Sequence, residues 1–227
     1  MNKILVVDDE QDIREILQFN LEHEGFNVLT ASSAEEALEI LDESFSLILL
    51  DVMMEGMSGF KMADLLRKED NLIPIIFLTA KDTENDMLTG FMLGGDDYIK
   101  KPFSVQEIIA RVKSVLKRTN ITPIQEPNDE IIDLGPIQIN RKAMTVTDNH
   151  GIIRVTKTEY DILVLLSTNI GRIFSRQEIL DNVWQNDSIV LDRTVDVHIA
   201  RLRKKLGEHG NYIVNRVGFG YTFKMPK

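Results

Sequence analysis

Five polar residues stand where short apolar runs end. Asp8 and Asp9 follow Ile4-Leu5-Val6-Val7, and Asp51 follows Leu47-Ile48-Leu49-Leu50. Thr79 follows Ile75-Ile76-Phe77-Leu78, and Lys101 comes just after Asp97-Tyr98-Ile99-Lys100. Runs of this kind read as buried strands of a parallel sheet, and such sheets bind ligands outside the carboxyl ends of their strands. The spacing therefore predicts three acids, one hydroxyl and one ammonium at a single sheet edge. Mg²⁺, or another divalent cation, suits that set: it takes oxygen ligands, uses one or two carboxylates and shares a phosphate oxygen. Asp9 and Asp51 can be direct ligands, with Asp8 holding a bound water. Crowded carboxylates oppose one another's ionisation, so the cluster makes sense around a cation. A carboxylate can also attack phosphorus and become an aspartyl phosphate. The cation, the Lys101 ammonium and the Thr79 hydroxyl would then neutralise and orient the phosphoryl oxygens.

The elements that must position these groups are legible from periodicity. Strands are expected near 3–7, 26–30, 46–50, 74–79 and 97–100, and helices near 11–23, 34–42, 58–68, 83–92 and 105–118. Ser33…Glu36 and Ser104…Glu107 are spaced as capping boxes. Five alternating units predict an α/β doubly wound, five-stranded parallel sheet of flavodoxin-like type over residues 1–118. Residues 119–129, with Pro123 and Pro127 and no apolar period, read as a linker. From 130 to 227 the pattern changes to an α+β domain. Short β runs lie at 131–134, 137–139, 143–147 and 152–155. Two helices open with Thr156…Glu159 and Ser175…Glu178, a third spans about 193–206, and a hairpin closes around Gly218-Phe219-Gly220.

Composition narrows the function classes. The chain has 227 residues and no Cys, which excludes disulfides, thiolate catalysis and Cys-based metal sites. No apolar run suits a signal peptide or a membrane span, so a cytoplasmic protein with no membrane partner is expected. The net charge of −10 alone would argue against nucleic acid, but the charge is uneven. Residues 1–120 hold 12 basic and 23 acidic side chains, whereas residues 130–227 hold 14 and 11. Two domains with different partners fit that split. The His residues at 23, 150, 198 and 209 have no metal-ligand or triad spacing. Gly94-Gly95-Asp96-Asp97 reads as a turn.

The third C-terminal helix carries the basic character. Val195, Ile199, Leu202 and Leu206 follow helical spacing and define a core face. Arg193, Val197, Ala200, Arg201 and Lys204 fall on the opposite face. There an Arg can reach guanine edges and a Val a thymine methyl, while His198, Arg203 and Lys204 can reach phosphates.

Taken singly these signals are weak, since an Asp-Asp pair at a strand end is more often a helix cap. Their joint order resembles two known modules. Val6-Val7-Asp8-Asp9-Glu10, Leu50-Asp51-Val52-Met53-Met54, Leu78-Thr79-Ala80-Lys81 and Asp96-Asp97-Tyr98-Ile99-Lys100-Lys101-Pro102-Phe103 resemble the receiver domain of two-component response regulators. Thr156-Lys157-Thr158-Glu159-Tyr160, Ser175-Arg176-Gln177-Glu178-Ile179-Leu180, Asp192-Arg193-Thr194-Val195-Asp196-Val197-His198-Ile199 and Gly218-Phe219-Gly220-Tyr221 resemble the winged-helix domain of the OmpR/PhoB class.

The resemblance implies Asp51 as phosphoacceptor from a sensor histidine kinase. It implies Asp8, Asp9, Asp51 and the Met53 carbonyl around the metal, and Thr79 with Tyr98 as a switch pair. It also implies a homodimer on activation, formed through the fourth helix, fifth strand and fifth helix, with Met87, Met92, Asp96, Asp97, Glu107 and Arg111 on that face. DNA contacts fall to Arg193, Thr194, Val197, His198, Ala200, Arg201, Arg203, Lys204 and Arg216, on double-stranded promoter DNA, with RNA polymerase as a further partner. No turnover on an external substrate is expected.

The chain departs from the family at four places. Glu55 stands where the loop after the phosphoacceptor usually has proline. Met87 and Met92 replace a basic and an acidic residue of the dimer network. Val217 takes the usual wing Arg position, with Arg216 one residue earlier. One rival is a flavodoxin-like nucleotide-binding or phosphatase domain, which would need a glycine-rich loop where Asp8-Asp9-Glu10 stands. The other is a receiver-containing DNA-binding protein that acts without phosphorylation.

Overall fold

The computed structural model describes residues 2–80, 84–119, 131–184 and 192–225. Thr119, expected to open the linker, ends a helix instead, while the rest of the expected linker (120–129), the motif residue Lys81 and the expected helix start at 83 lie outside the described residues. The chain divides into two compact units, Met1–Arg118 and Thr119–Lys227.

The first unit alternates β1 (Lys3–Val7), α1 (Gln11–His23), β2 (Asn27–Ala31), α2 (Ala34–Ile40) and β3 (Phe45–Asp51). It continues with α3 (Gly59–Lys68), β4 (Ile75–Thr79), α4 (Glu84–Met92), β5 (Asp97–Lys100) and α5 (Val105–Thr119). All pairings are parallel, in the order β2-β1-β3-β4-β5. The apolar runs are continuous because both sheet faces are covered: Ile4 to Val7, Leu47 to Leu50 and Ile75 to Leu78 are fully buried. On one face Ile4, Val6, Leu47, Leu49, Ile76 and Leu78 pack against Leu17 and Leu21 of α1 and Ile108, Val112 and Val115 of α5. Strand order reverses between β1 and β3, which opens a crevice at their carboxyl ends. Asp8 and Asp51 stand at that crevice.

Helix starts agree only in part with the capping boxes expected from sequence. Ser33 accepts from the Glu36 amide, but the Glu36 carboxylate accepts from Ser32 N–H and Oγ at 2.7 Å rather than from Ser33. Ser104 accepts from the Glu107 amide, while the Glu107 carboxylate turns to Arg111. The Gly94-Gly95 turn has a packing cause. A Cβ on Gly95 would lie 2.7 Å from the Phe77 ring, and one on Gly94 would lie 2.5 Å from Arg67 Nε.

The second unit opens with an antiparallel meander of β6 (Ile131–Asp133), β7 (Ile137–Asn140), β8 (Thr145–Asp148) and β9 (Gly151–Ile153). The turn before β9 is drawn tight by Asp148 Oδ1, which accepts from the His150 and Gly151 amides. That shifts the last two strands from their expected bounds. Next come α6 (Lys157–Ser167), α7 (Arg176–Val183), α8 (Asp192–Lys205), a 3-10 turn (Gly207–Tyr212) and a hairpin of β10 (Ile213–Arg216) and β11 (Gly220–Phe223). The Thr156/Glu159 and Ser175/Glu178 capping boxes are complete. Trp184, Phe174, Phe223, Leu163, Ile199 and Leu202 form the core. Gly220, at φ +129°, lets the hairpin touch the Phe174 backbone, where a Cβ would collide with its carbonyl. Together these elements form a winged-helix arrangement. No helix among the described residues is long and apolar enough to cross a membrane.

Candidate functional site

The end of β1 carries Asp8 and Asp9, and the end of β3 carries Asp51. Each offers a carboxylate oxygen within 4.8 Å of the others. Asp8 and Asp51 are buried and Asp9 is exposed. Lys101 follows β5. Its backbone N–H donates to Thr79 O at 2.7 Å, which fixes the start of its side chain. Its ammonium donates to Asp8 Oδ2 at 2.8 Å and to Asp51 Oδ2 at 2.9 Å. A third bond reaches Glu10 Oε1 at 3.2 Å. Burial works against this charged ammonium, but the bonds to Asp8 and Asp51 outweigh it and hold its pKa above the usual lysine value. Burial raises the pKa of Asp8, and nearby Asp51 adds to that, while Lys101 and the Glu10 amide pull it back.

These residues fit a small divalent cation. Their carboxylate oxygens, all within 4.8 Å of one another, are close enough to share one cation whose ligands sit about 2.1 Å from it. One ammonium among three acids also leaves negative charge for a cation to balance. Asp9, Asp51 and the Met53 carbonyl would hold it, with Asp8 on a bound water. Thr79 is fully buried at the end of β4, in register with Lys100. Tyr98 is buried with its ring centroid 6.5 Å from that of Phe77 and 6.4 Å from that of Phe91. Met53 is exposed, and its amide donates to Asp51 Oδ1 at 3.0 Å. Glu10 and the Glu55 amide, which donates to Asp9 Oδ2 at 3.2 Å, are members of the site that sequence reasoning passed over. Glu10 could have been found as the third acid of an unbroken run. A backbone donor leaves no side-chain signal.

The expected dimer face is divided. Met92 is exposed and Met87 half-buried. Arg111 is buried and donates to Asp97 at 3.1 Å and to Glu107 at 2.9 Å, so these charges are paired within one chain. Asp96 is corrected: it is fully buried, accepts from the Ile75 amide and lies 3.7 Å from Arg67. Arg67 also donates to the carbonyls of Asn71, Ile73 and Gly94, so Asp96 belongs to a staple beneath the α4–β5 turn.

In α8, Arg193, Ala200 and Lys204 are exposed and Val197 is half-buried, a single stripe at i, i+4, i+7 and i+11. Thr194 and His198 are corrected. Both are fully buried, and His198 lies against Trp184 at 5.3 Å. The core face is wider than the four residues expected and takes them in. Arg203 turns from its expected phosphate role to the hairpin, donating to Ile213 O at 3.0 and 2.6 Å. Arg201 Nε lies 3.4 Å from the buried Glu159 carboxylate, which also accepts from Lys205 at 2.6 Å. Arg216 is exposed in the hairpin beside Val217 and Phe219, both exposed at the wing tip.

Residues 4–113 match the response regulator receiver domain family, and residues 149–223 match the family of transcriptional regulatory protein C-terminal domains. The alkaline phosphatase synthesis transcriptional regulatory protein PhoP of Bacillus subtilis is 41% identical, over 99% of this chain and 98% of that one. Response regulator ArlR of Staphylococcus haemolyticus is 39% identical, over 99% and 100%. The crystal structure of DrrB, an OmpR/PhoB homologue of Thermotoga maritima, is 32% identical over 99% of each chain, with a TM-score of 0.52.

Proposed function

The chain belongs to the OmpR/PhoB response regulators, with a receiver domain and a transcription-regulating DNA-binding domain, and from that premise we propose that phosphorylation of Asp51 governs its dimerisation and promoter binding. The reading rests on one observation above all: the Lys101 ammonium bridges Asp8 and Asp51 beside the exposed carboxylate of Asp9.

The phosphoryl group comes from a phosphohistidine of a sensor kinase. An Asp51 carboxylate oxygen attacks phosphorus, the N–P bond breaks, and the donor imidazole keeps the electron pair. Lys101 exchanges its Asp51 oxygen for a phosphoryl oxygen while staying on Asp8. A divalent cation held by Asp9, Asp51 and the Met53 carbonyl would supply further charge neutralisation for those oxygens. Thr79 and Tyr98 carry the change toward α4, β5 and α5. That face joins two copies through Met87 and Met92, with Glu107 at its edge. Each copy lays the Arg193–Val197–Ala200–Lys204 stripe of α8 in a major groove, with Arg216 on the flanking backbone and RNA polymerase as the downstream partner.

Selection from a random duplex pool tests this. Chain treated with acetyl phosphate and Mg²⁺ should enrich tandem half-sites about 10 or 11 base pairs apart. Asp51→Asn should not respond to the donor. Equal enrichment by Asp51→Asn would overturn the proposal.

A further inference from the structure

We infer that Glu35 of α2 is a positioning residue of the phosphoacceptor loop, acting on the cation site through the backbone of residues 53–57. The inference rests on the reading of Asp51 given above.

Between β3 and α3, alternate amides of the loop each donate to a carboxylate. Met53 N–H donates to Asp51 Oδ1 at 3.0 Å, Glu55 N–H to Asp9 Oδ2 at 3.2 Å, and Met57 N–H to Glu35 Oε1 at 3.2 Å. The first two acceptors belong to the acid cluster. The third does not, because Glu35 stands in the first turn of α2. Gly56 makes this contact possible. Its φ of +81°, which glycine adopts without strain, turns the chain so that the next amide, that of Met57, reaches Glu35. The loop's ends are tied to backbone, Val52 N–H to Leu78 O at 2.9 Å and Gly59 N–H to Val52 O at 3.2 Å. Glu35 therefore anchors the outer part of the loop from outside the cluster, while the Glu55 amide orients Asp9 from within it.

The Glu55 contact needs a backbone N–H, which proline lacks. A residue other than proline at this position thus lets the loop hold Asp9 directly, and the Glu35 anchor keeps that donor in place. Loss of groups that orient metal ligands costs about 10–100-fold in metal affinity. Glu35 acts one step further out, so a loss of about 3–10-fold is expected on the same principle.

The test uses the full-length chain with Mn²⁺ as probe, free ion being read by electron paramagnetic resonance and unfolding midpoints being taken without metal. Wild type should bind Mn²⁺ and Asp51→Asn should lose it. Glu35→Ala should weaken binding about 3–10-fold. Glu35→Gln, whose amide oxygen still accepts from Met57, should recover most of that loss. Glu39→Ala removes the same charge from the same helix and should bind as wild type. Glu35→Ser serves if Glu35→Ala does not fold. If wild type binds and Glu35→Ala matches it, or Glu39→Ala weakens binding equally, this inference alone fails. If wild type does not bind, or Asp51→Asn binds as well, the phosphoacceptor reading fails and the inference with it.

Discussion

Lys101→Met isolates the electrostatics of the site. The substitution keeps the length of the side chain and removes the ammonium that bonds Asp8 at 2.8 Å and Asp51 at 2.9 Å. Both carboxylates are buried, so they cannot turn to water for compensation. Removing one partner of a buried ion pair costs about 3–5 kcal/mol. The low end applies here, because the Lys101 side chain is 14% exposed and Asp9 already faces solvent. A loss of about 3 kcal/mol corresponds to a fall of roughly 12 °C in the midpoint of a domain this size. The sign with pH follows from linkage. Without the ammonium, the burial that raises the Asp8 pKa loses its main opposition, so stability falls as pH rises above the usual carboxylate range. The gap between wild type and variant should be small near pH 4 and full by pH 7. Divalent cations should close part of it. Calorimetry in EDTA separates the transitions of the two units. The chain's one Trp, Trp184, lies in the second unit, so its fluorescence serves as an internal control. A difference below about 1 kcal/mol at pH 7, or one independent of pH, would refute the reasoning.

Other expectations concern single residues. Burial raises the pKa of Asp8, so metal-free wild type should lose stability as pH climbs from 3.8 through the folded value. Asp8→Asn should flatten that slope in EDTA melts, and a steeper slope would contradict it. Arg201 is drawn to Glu159, so Arg201→Ala should destabilise the second unit, by about 1–3 kcal/mol for the buried carboxylate left short of a partner. It should do so without narrowing the gap between specific and random duplex in binding titrations. Lys204→Ala should weaken both duplexes alike and reduce the salt slope of binding by about one.

Much of this molecule is legible from its sequence because its signals are local or periodic. The buried strands announce themselves as apolar runs, and the groups at their ends must share an edge once the sheet is parallel. Asp8, Asp9, Asp51, Thr79 and Lys101 are therefore placed by arithmetic on short segments. The misplaced residues share a different cause. Asp96 looks like a partner of Asp97 on a dimer face, yet it sits in the bend before β5, where its carboxylate turns to the Ile75 amide and Arg67. Thr194 and His198 look polar enough for DNA, but the helix lies in a broad seat beside Trp184 that takes them inside. Arg201 suits a base edge and Arg203 a phosphate, and only the fold reveals Glu159 beside the one and the Ile213 carbonyl beside the other. Contacts made by backbone amides, such as Glu55 to Asp9, carry no side-chain signature at all.

Where a phosphoryl group goes tests the role of Asp51 most directly. The full-length chain is incubated with acetyl phosphate, with Mg²⁺ or with EDTA, and the modified residue is mapped by mass spectrometry after reductive trapping of the acyl phosphate. One label, on Asp51, formed with Mg²⁺ and absent in EDTA and in Asp51→Asn, is the result predicted. Label on any other residue, label that persists in Asp51→Asn, or equal labelling in EDTA would contradict it.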